Sequence, residues 1–273
     1  AGPDEPTGDG YLLMVVKQGG SFTLKGQLAD GTKFSDAGVL SWNKEIIFYQ
    51  SLYKSKPQGH FTGKLLLRDV PGVSDLDGTA HWLKRPGTEK YYPRGFDIER
   101  SVIGSRFTPP AKGAAALSAI DLTALPDNAQ GLFVGGQLDP PIGELPLSWD
   151  AKNTVSSAGA EKLKGKVNTK TGEFKASIVH PESKQKVPVV GVAFQKQGVV
   201  SGHFLGAAGE SGYVLIESAT SESADDHSDR VITATELTPG GEASGELGVS
   251  DRDCFRLEVP EEGELSASLS IAG

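Results

Sequence analysis

Cysteine and methionine are nearly missing, with one of each, Cys254 and Met14, in 273 residues. A single cysteine excludes an intrachain disulfide and a thiolate cluster for zinc or an iron–sulfur centre. Aromatic residues make up only 7% of the chain, so a core must draw on most of them. No run of 18 apolar residues occurs, which excludes a membrane-spanning helix. The five histidines, His60, His81, His180, His203 and His227, include no HExxH pair. Gly-x-Ser-x-Gly, a P-loop and a strand-borne GxGxxG are also missing. The motif-marked zinc proteases, α/β-hydrolases and nucleotide binders are thereby set aside.

Glycine is abundant instead, at 35 residues, well above the roughly 7% of an average chain. At 37% hydrophobic residues and 273 positions there is material for one large or two modest domains. Charge is uneven. Glu217 to Gly273 holds fourteen acids and three arginines, a net of −11, which leaves +3 for residues 1–216. The acidic tail argues against nucleic acid as a partner.

The body reads as short apolar runs cut by turn residues, the pattern of antiparallel all-β proteins. Tyr11–Val16 is a buried-strand candidate. Ser21–Leu28 alternates with Phe22, Leu24 and Gly26 on one face, and Asp30-Gly31 then marks a hairpin turn. Thr32–Trp42, Ile46–Tyr53, Gly59–Asp69 and Gly78–Lys84 continue the series. Ala111–Leu125 is Ala-rich, but Pro109-Pro110 and Pro126 bound it, so it reads as linker running into strand rather than helix.

An internal echo runs through the chain. Gly59–Leu67, Leu76–Lys84 and Arg94-Gly95-Phe96 recur in order as Gly172–Val179, Val189–Lys196 and Ser201–Phe204. The expected organisation is a flexible lead (1–10), a first β unit (11–108), a linker (109–114), a second β unit (115–217), an acidic linker (218–229) and a partial C-terminal β-sandwich (230–273). The fold class is all-β: two related antiparallel barrel- or sandwich-like units plus a short C-terminal β segment. The opening Ala1-Gly2-Pro3-Asp4 has neither an initiator methionine nor a signal pattern, and reads as a processed end or an excised fragment.

Gly26–Thr32, Tyr49–Tyr53, Gly59–Gly63, Trp82-Leu83-Lys84, Tyr92–Phe96 and Ile103–Pro110 together resemble a Gly- and aromatic-rich module repeated in large secreted or surface proteins of Verrucomicrobia-like bacteria. Gly191–Gln197 and Gly202–Gly206 extend the resemblance into the second half. Ala243–Leu247, Asp251–Leu257 and Gly263-Glu264-Leu265 resemble the start of a bacterial pre-peptidase C-terminal β-sandwich. The resemblance implies export and membership of a larger assembly. It carries no catalytic residues over.

Three function classes follow. The first is a non-catalytic structural or adhesion module, extracellular or at the cell surface, whose partners are other subunits or domains of the same assembly. The second is a carbohydrate-binding module using an aromatic patch drawn from Trp42, Trp82, Trp149, Tyr49, Tyr53, Tyr91 and Tyr92, with Trp82, Tyr91, Tyr92 and Arg94 as ligand-binding candidates and Tyr91–Arg94 in a polar loop. The third is a polysaccharide-active hydrolase, for which Asp75, Asp77, Glu89, Asp97 and Glu99 are the candidate carboxylates. No catalytic residue is singled out. No cofactor is expected apart from calcium, for which Asp251 and Asp253, with Asp225, Asp226 and Asp229, could supply oxygens. His60 and His203 each sit between Gly and Phe, and a shared metal or ligand role is weighed against plain strand-surface positions.

Overall fold

The computed structural model describes residues 4–53, 59–206, 209–219, 235–238 and 255–257. Every regular element among them is a β-strand. Ala1–Thr220 forms one compact unit and Ser221–Gly273 a second. In the second, β16 (Thr235–Leu237) pairs in parallel with β17 (Phe255–Leu257). The other strands expected there lie outside the described residues.

The first half of the large unit has seven strands in two open sheets. β1 (Tyr11–Val16), β2 (Ser21–Gln27) and β3 (Lys33–Val39) form one antiparallel meander. β4 (Glu45–Leu52), β5 (Gly59–Val70), β6 (Ser74–Lys84) and β7 (Phe96–Gly104) form the other. Alternation dictates the inner faces. Phe22 and Leu24 of β2, Phe34 of β3, Ile46 and Phe48 of β4, Phe61 and Leu65 of β5, Leu76, Ala80 and Trp82 of β6, and Ile98 of β7 bury into one shared core. The Asp30-Gly31 turn forms as expected: Gly31 takes φ +87°, and the Thr32 amide donates to Asp30 Oδ1 at 2.9 Å.

The second half closes. β8 (Ala129–Gly135), β9 (Ile142–Trp149), β10 (Thr154–Ser156), β11 (Lys164–Val167), β12 (Glu173–Val179), β13 (Lys186–Phe194), β14 (Val199–Leu205) and β15 (Ser211–Ser218) make an up-and-down barrel, with β15 pairing back onto β8. Eight strands leave an interior that side chains fill. Trp149, Phe133, Phe174, Phe204, Leu147 and Ile216 do so here. Phe204 needs the missing side chain of Gly212, where a Cβ would stand 2.1 Å from its ring.

Residues 111–125 are neither helix nor strand. Ala116, Leu117 and Ile120 instead join the barrel core as an irregular plug. Asn153 explains why irregular backbone is tolerated there. Its Oδ1 accepts from the Ala116 amide (2.6 Å) and the Trp149 indole (3.0 Å), and its Nδ2 donates to the Ala114 carbonyl (3.0 Å).

The echoing segments fall on β5, β6 and the start of β7 in one half and on β12, β13 and β14 in the other. The lead differs from expectation: residues 4–10 are tied down rather than free. The Asp9 amide donates to the Gly202 carbonyl, and Asp9 Oδ2 accepts from Ser201 Oγ at 2.8 Å. Asp4 and Glu5 pair with Arg94 and Arg100.

Candidate functional site: a cleft between two unpaired strand edges

Among the described residues, β1 pairs only with β2, and β7 only with β6. A cleft of about 1840 Å³ lies beside these two edges, lined also by the lead (Glu5–Gly10) and by Val192, Ala193 and Phe194 of β13. Leu12, Met14 and Val16 line it from β1, and Ile98, Arg100 and Val102 from β7. Phe61, Leu76, Ala80 and Trp82 of the core form its interior wall. Small-molecule sites occupy roughly 300–1,000 Å³, so this opening has room for something larger.

At another edge of the same half a buried polar network clamps the two sheets together. Lys84 Nζ pairs with Asp30 Oδ2 at 2.8 Å. Tyr53 donates to that oxygen at 2.9 Å, and the Trp82 indole donates to Tyr53 Oη at 3.1 Å. The Lys84 ammonium also lies 4.7 Å from the centre of the Tyr53 ring. Burial first, and then the Asp30 charge, push the Tyr53 hydroxyl far above its ordinary range, so it remains a donor. A small hollow of about 300 Å³ between Asp30, Tyr53, Lys84, Tyr91 and Leu205 opens onto this network.

Of the four sequence-predicted ligand residues, only Trp82 reaches the cleft. It does so as a core side chain with Phe96 packed edge-on at 4.6 Å. Tyr92 is buried, because its hydroxyl accepts from the Ser211 amide (2.7 Å) and shares a hydrogen bond with Ser211 Oγ (2.8 Å). Tyr91 is half-buried and donates to the Gly206 carbonyl at 3.1 Å. Arg94 is exposed and engaged by Asp4. The four therefore do not form one exposed aromatic platform. Among the described residues, the exposed large aromatics are Trp42, 99% accessible, and Tyr49, 63% accessible. The calcium candidates Asp225, Asp226, Asp229, Asp251 and Asp253 lie outside the described residues.

The two histidines compared above differ in setting. His60, on the outer face of β5, lies 3.2 Å from His81 Nδ1, and His81 in turn bonds Asp97; Tyr49 stacks on His60. His203, on the outer face of β14, is fully buried beneath the lead. Its Nδ1 donates to the Asp9 carbonyl at 2.7 Å, which leaves Nε2 as a buried lone pair without a hydrogen-bond partner among the described residues. Burial pushes its pKa down to about 4 against the pull of that hydrogen bond, so the ring is neutral.

Asp77 and Asp75 are poorly suited to act as a general acid, which needs a raised pKa. Hydrogen bonding by Arg68 holds Asp77 below the usual range. Burial works upward on Asp75, but Lys196 and the Arg106 amide outweigh it and leave that group lowered.

No known family profile matches the chain, and no curated protein matches it. Among solved structures, HpuA from Kingella denitrificans, in complex with human haemoglobin, is similar over 82% of this chain and 92% of that one. The identity is 10% and the TM-score 0.28, and a likeness at that level carries no argument about this chain.

Proposed function

We propose that this chain is a non-catalytic structural or adhesion module of a larger extracellular or cell-surface assembly, and that it holds a partner in the cleft between β1 and β7. The single observation that carries the reading is the cleft itself. Beside the unpaired edges of β1 and β7 the large unit leaves an opening of about 1840 Å³ with an apolar interior wall. The resemblance to repeat modules of secreted proteins supports the extracellular placement.

The test is site-specific photo-crosslinking from Val16 and Val102 in material from the source, with intact mass and native size measured beside it. Crosslinks to one other protein of a large assembly are expected. A discrete monomer that crosslinks to nothing sinks the proposal.

A second reading, glycan binding, draws on Trp42 and Tyr49, whose exposed rings are available for stacking. On a glycan array it requires binding that Trp42→Ala abolishes while the Tm stays unchanged.

A further inference from the structure

We infer that the outer face of the β4–β7 sheet carries a site for a zinc-type divalent ion, held by His60 Nε2 and His81 Nδ1 with Asp97 as the positioning residue. The core lies on the other face of these strands, so the site stands apart from the cleft and from the reading above.

Strand register brings the residues together. His60 faces Leu83 across the β5–β6 ladder and Thr62 faces His81, so the two histidines are diagonal neighbours on one face. On β7, Glu99 is the register partner of His81, and Asp97 that of Leu83. All four side chains therefore share the outer face. Ser51 of β4 is the register partner of His60, and Tyr49 stacks on the His60 ring with 5.5 Å between centroids.

Hydrogen bonding then fixes which nitrogens are free. Asp97 Oδ1 accepts from His81 Nε2, so the neutral His81 ring carries its hydrogen there and turns a bare Nδ1 lone pair toward His60. His60 Nε2 stands 3.2 Å from that lone pair. Two imidazole nitrogens bound to one ion at about 2.0–2.1 Å are roughly 2.9 Å apart at a right angle and about 3.3 Å apart at the tetrahedral angle. The pair is thus already at ligand spacing. A carboxylate behind one histidine is also what orients a metal-bound imidazole and raises its basicity. Without metal, the His60 Nε2 hydrogen bridges the gap. Metal entry moves that hydrogen to His60 Nδ1 through solvent, and both rings stay neutral.

The local charge suits a cation. Asp97 and Glu99 are exposed, and neither pairs with a lysine or arginine within 4 Å among the described residues. Arg100, next to Glu99 in the chain, is taken by Glu5. No three potential ligands converge on one point among the described residues. The ion therefore takes two nitrogens from the protein and its remaining ligands from water, which the 36% accessibility of the His81 side chain admits. Imidazole nitrogens suit zinc, copper or nickel, whereas magnesium and calcium want oxygen.

The test titrates zinc ion alone into the metal-stripped full chain, followed by calorimetry, thermal unfolding and imidazole nitrogen NMR. Saturable binding with a rise in Tm is expected, because an ion that binds only the folded state stabilises it. The metal-induced shifts should fall on His60 Nε2 and His81 Nδ1. His60→Ala and His81→Ala should each weaken binding by more than about tenfold, and Asp97→Asn by about 10–100-fold. The zinc-free Tm of the histidine variants should match the parent, since both side chains lie on a solvated face. The lack of saturable binding overturns the site. Binding that survives in the double variant His60→Ala with His81→Ala also overturns it, because the ion then sits elsewhere on the chain. Shifts on the opposite ring nitrogens, or full affinity in Asp97→Asn, overturn the arrangement proposed for the two rings.

Discussion

Lys84 Nζ lies 2.8 Å from Asp30 Oδ2, with the two side chains 2% and 0% accessible. The ion pair joins the β2–β3 turn of one sheet to the end of β6 in the other, so it acts as a clamp opposite an open cleft. A buried pair of this kind adds little net stability over an apolar replacement, but breaking it strands a charge. Lys84→Met is therefore expected to lower stability by about 3–5 kcal/mol. The double variant Asp30→Leu with Lys84→Met should recover a large part of that loss. Urea midpoints of both variants check this, and equal loss in single and double variants would count against the clamp.

His203 makes the fold sensitive to acid. Its folded pKa, about 4, lies below the ordinary value of 6.5, so the unfolded chain binds the extra proton first. Stability from this group is complete above pH 6.5, declines as pH falls and levels off near pH 4. The full swing is about 3 kcal/mol, because each tenfold loss of proton affinity on folding is worth roughly 1.4 kcal/mol. Asp9 beside it is shifted upward by burial and acts in the opposite sense at the acid end. His203→Gln should flatten the stability profile between pH 6.5 and 4, as followed by thermal unfolding. An unchanged profile would contradict the assignment.

Tyr92 binds the first half to the barrel through one hydroxyl. Tyr92→Phe leaves the buried Ser211 amide without its acceptor, at an expected cost of about 1–3 kcal/mol. Chemical denaturation measures the loss, and native binding in the cleft should be untouched, since Tyr92 does not line it.

Asn153 holds the barrel plug. Asn153→Ala orphans the Ala116 amide and the Trp149 indole, each costing about 1–3 kcal/mol. Limited proteolysis should then cut between residues 111 and 125 at a protease level that spares the parent chain. Resistance equal to the parent would mean that apolar burial of Leu117 and Ile120 suffices alone.

Much of the fold was legible because strands announce themselves locally. The alternation of Phe22 and Leu24, and the Asp30-Gly31 turn, encode a hairpin with no help from the rest of the chain. The candidate site was much less legible. Tyr91-Tyr92-Pro93-Arg94 follows a polar loop, and that context reads as exposure. Tyr92 is nevertheless buried, because its partner Ser211 lies 119 residues away. The lead behaves likewise: residues rich in Gly, Pro and acid have no local reason to order, yet Asp9 is held by Ser201 and His203 of β14. The buried Asp30–Lys84 pair had no signal at all, since both residue types are ordinary at turns and strand ends.

Composition, period-two patterning and turn chemistry by themselves determined an all-β chain of short strands, because those properties depend on neighbours within a few residues. Only the tertiary structure decided that the second half closes while the first stays open. Closure depends on strand count and on β15 finding β8 across the whole unit, and no local pattern in either strand encodes its distant partner. The cleft between β1 and β7 is the consequence: it is lined by residues that each read as ordinary strand positions until the fold leaves their edges without a neighbour.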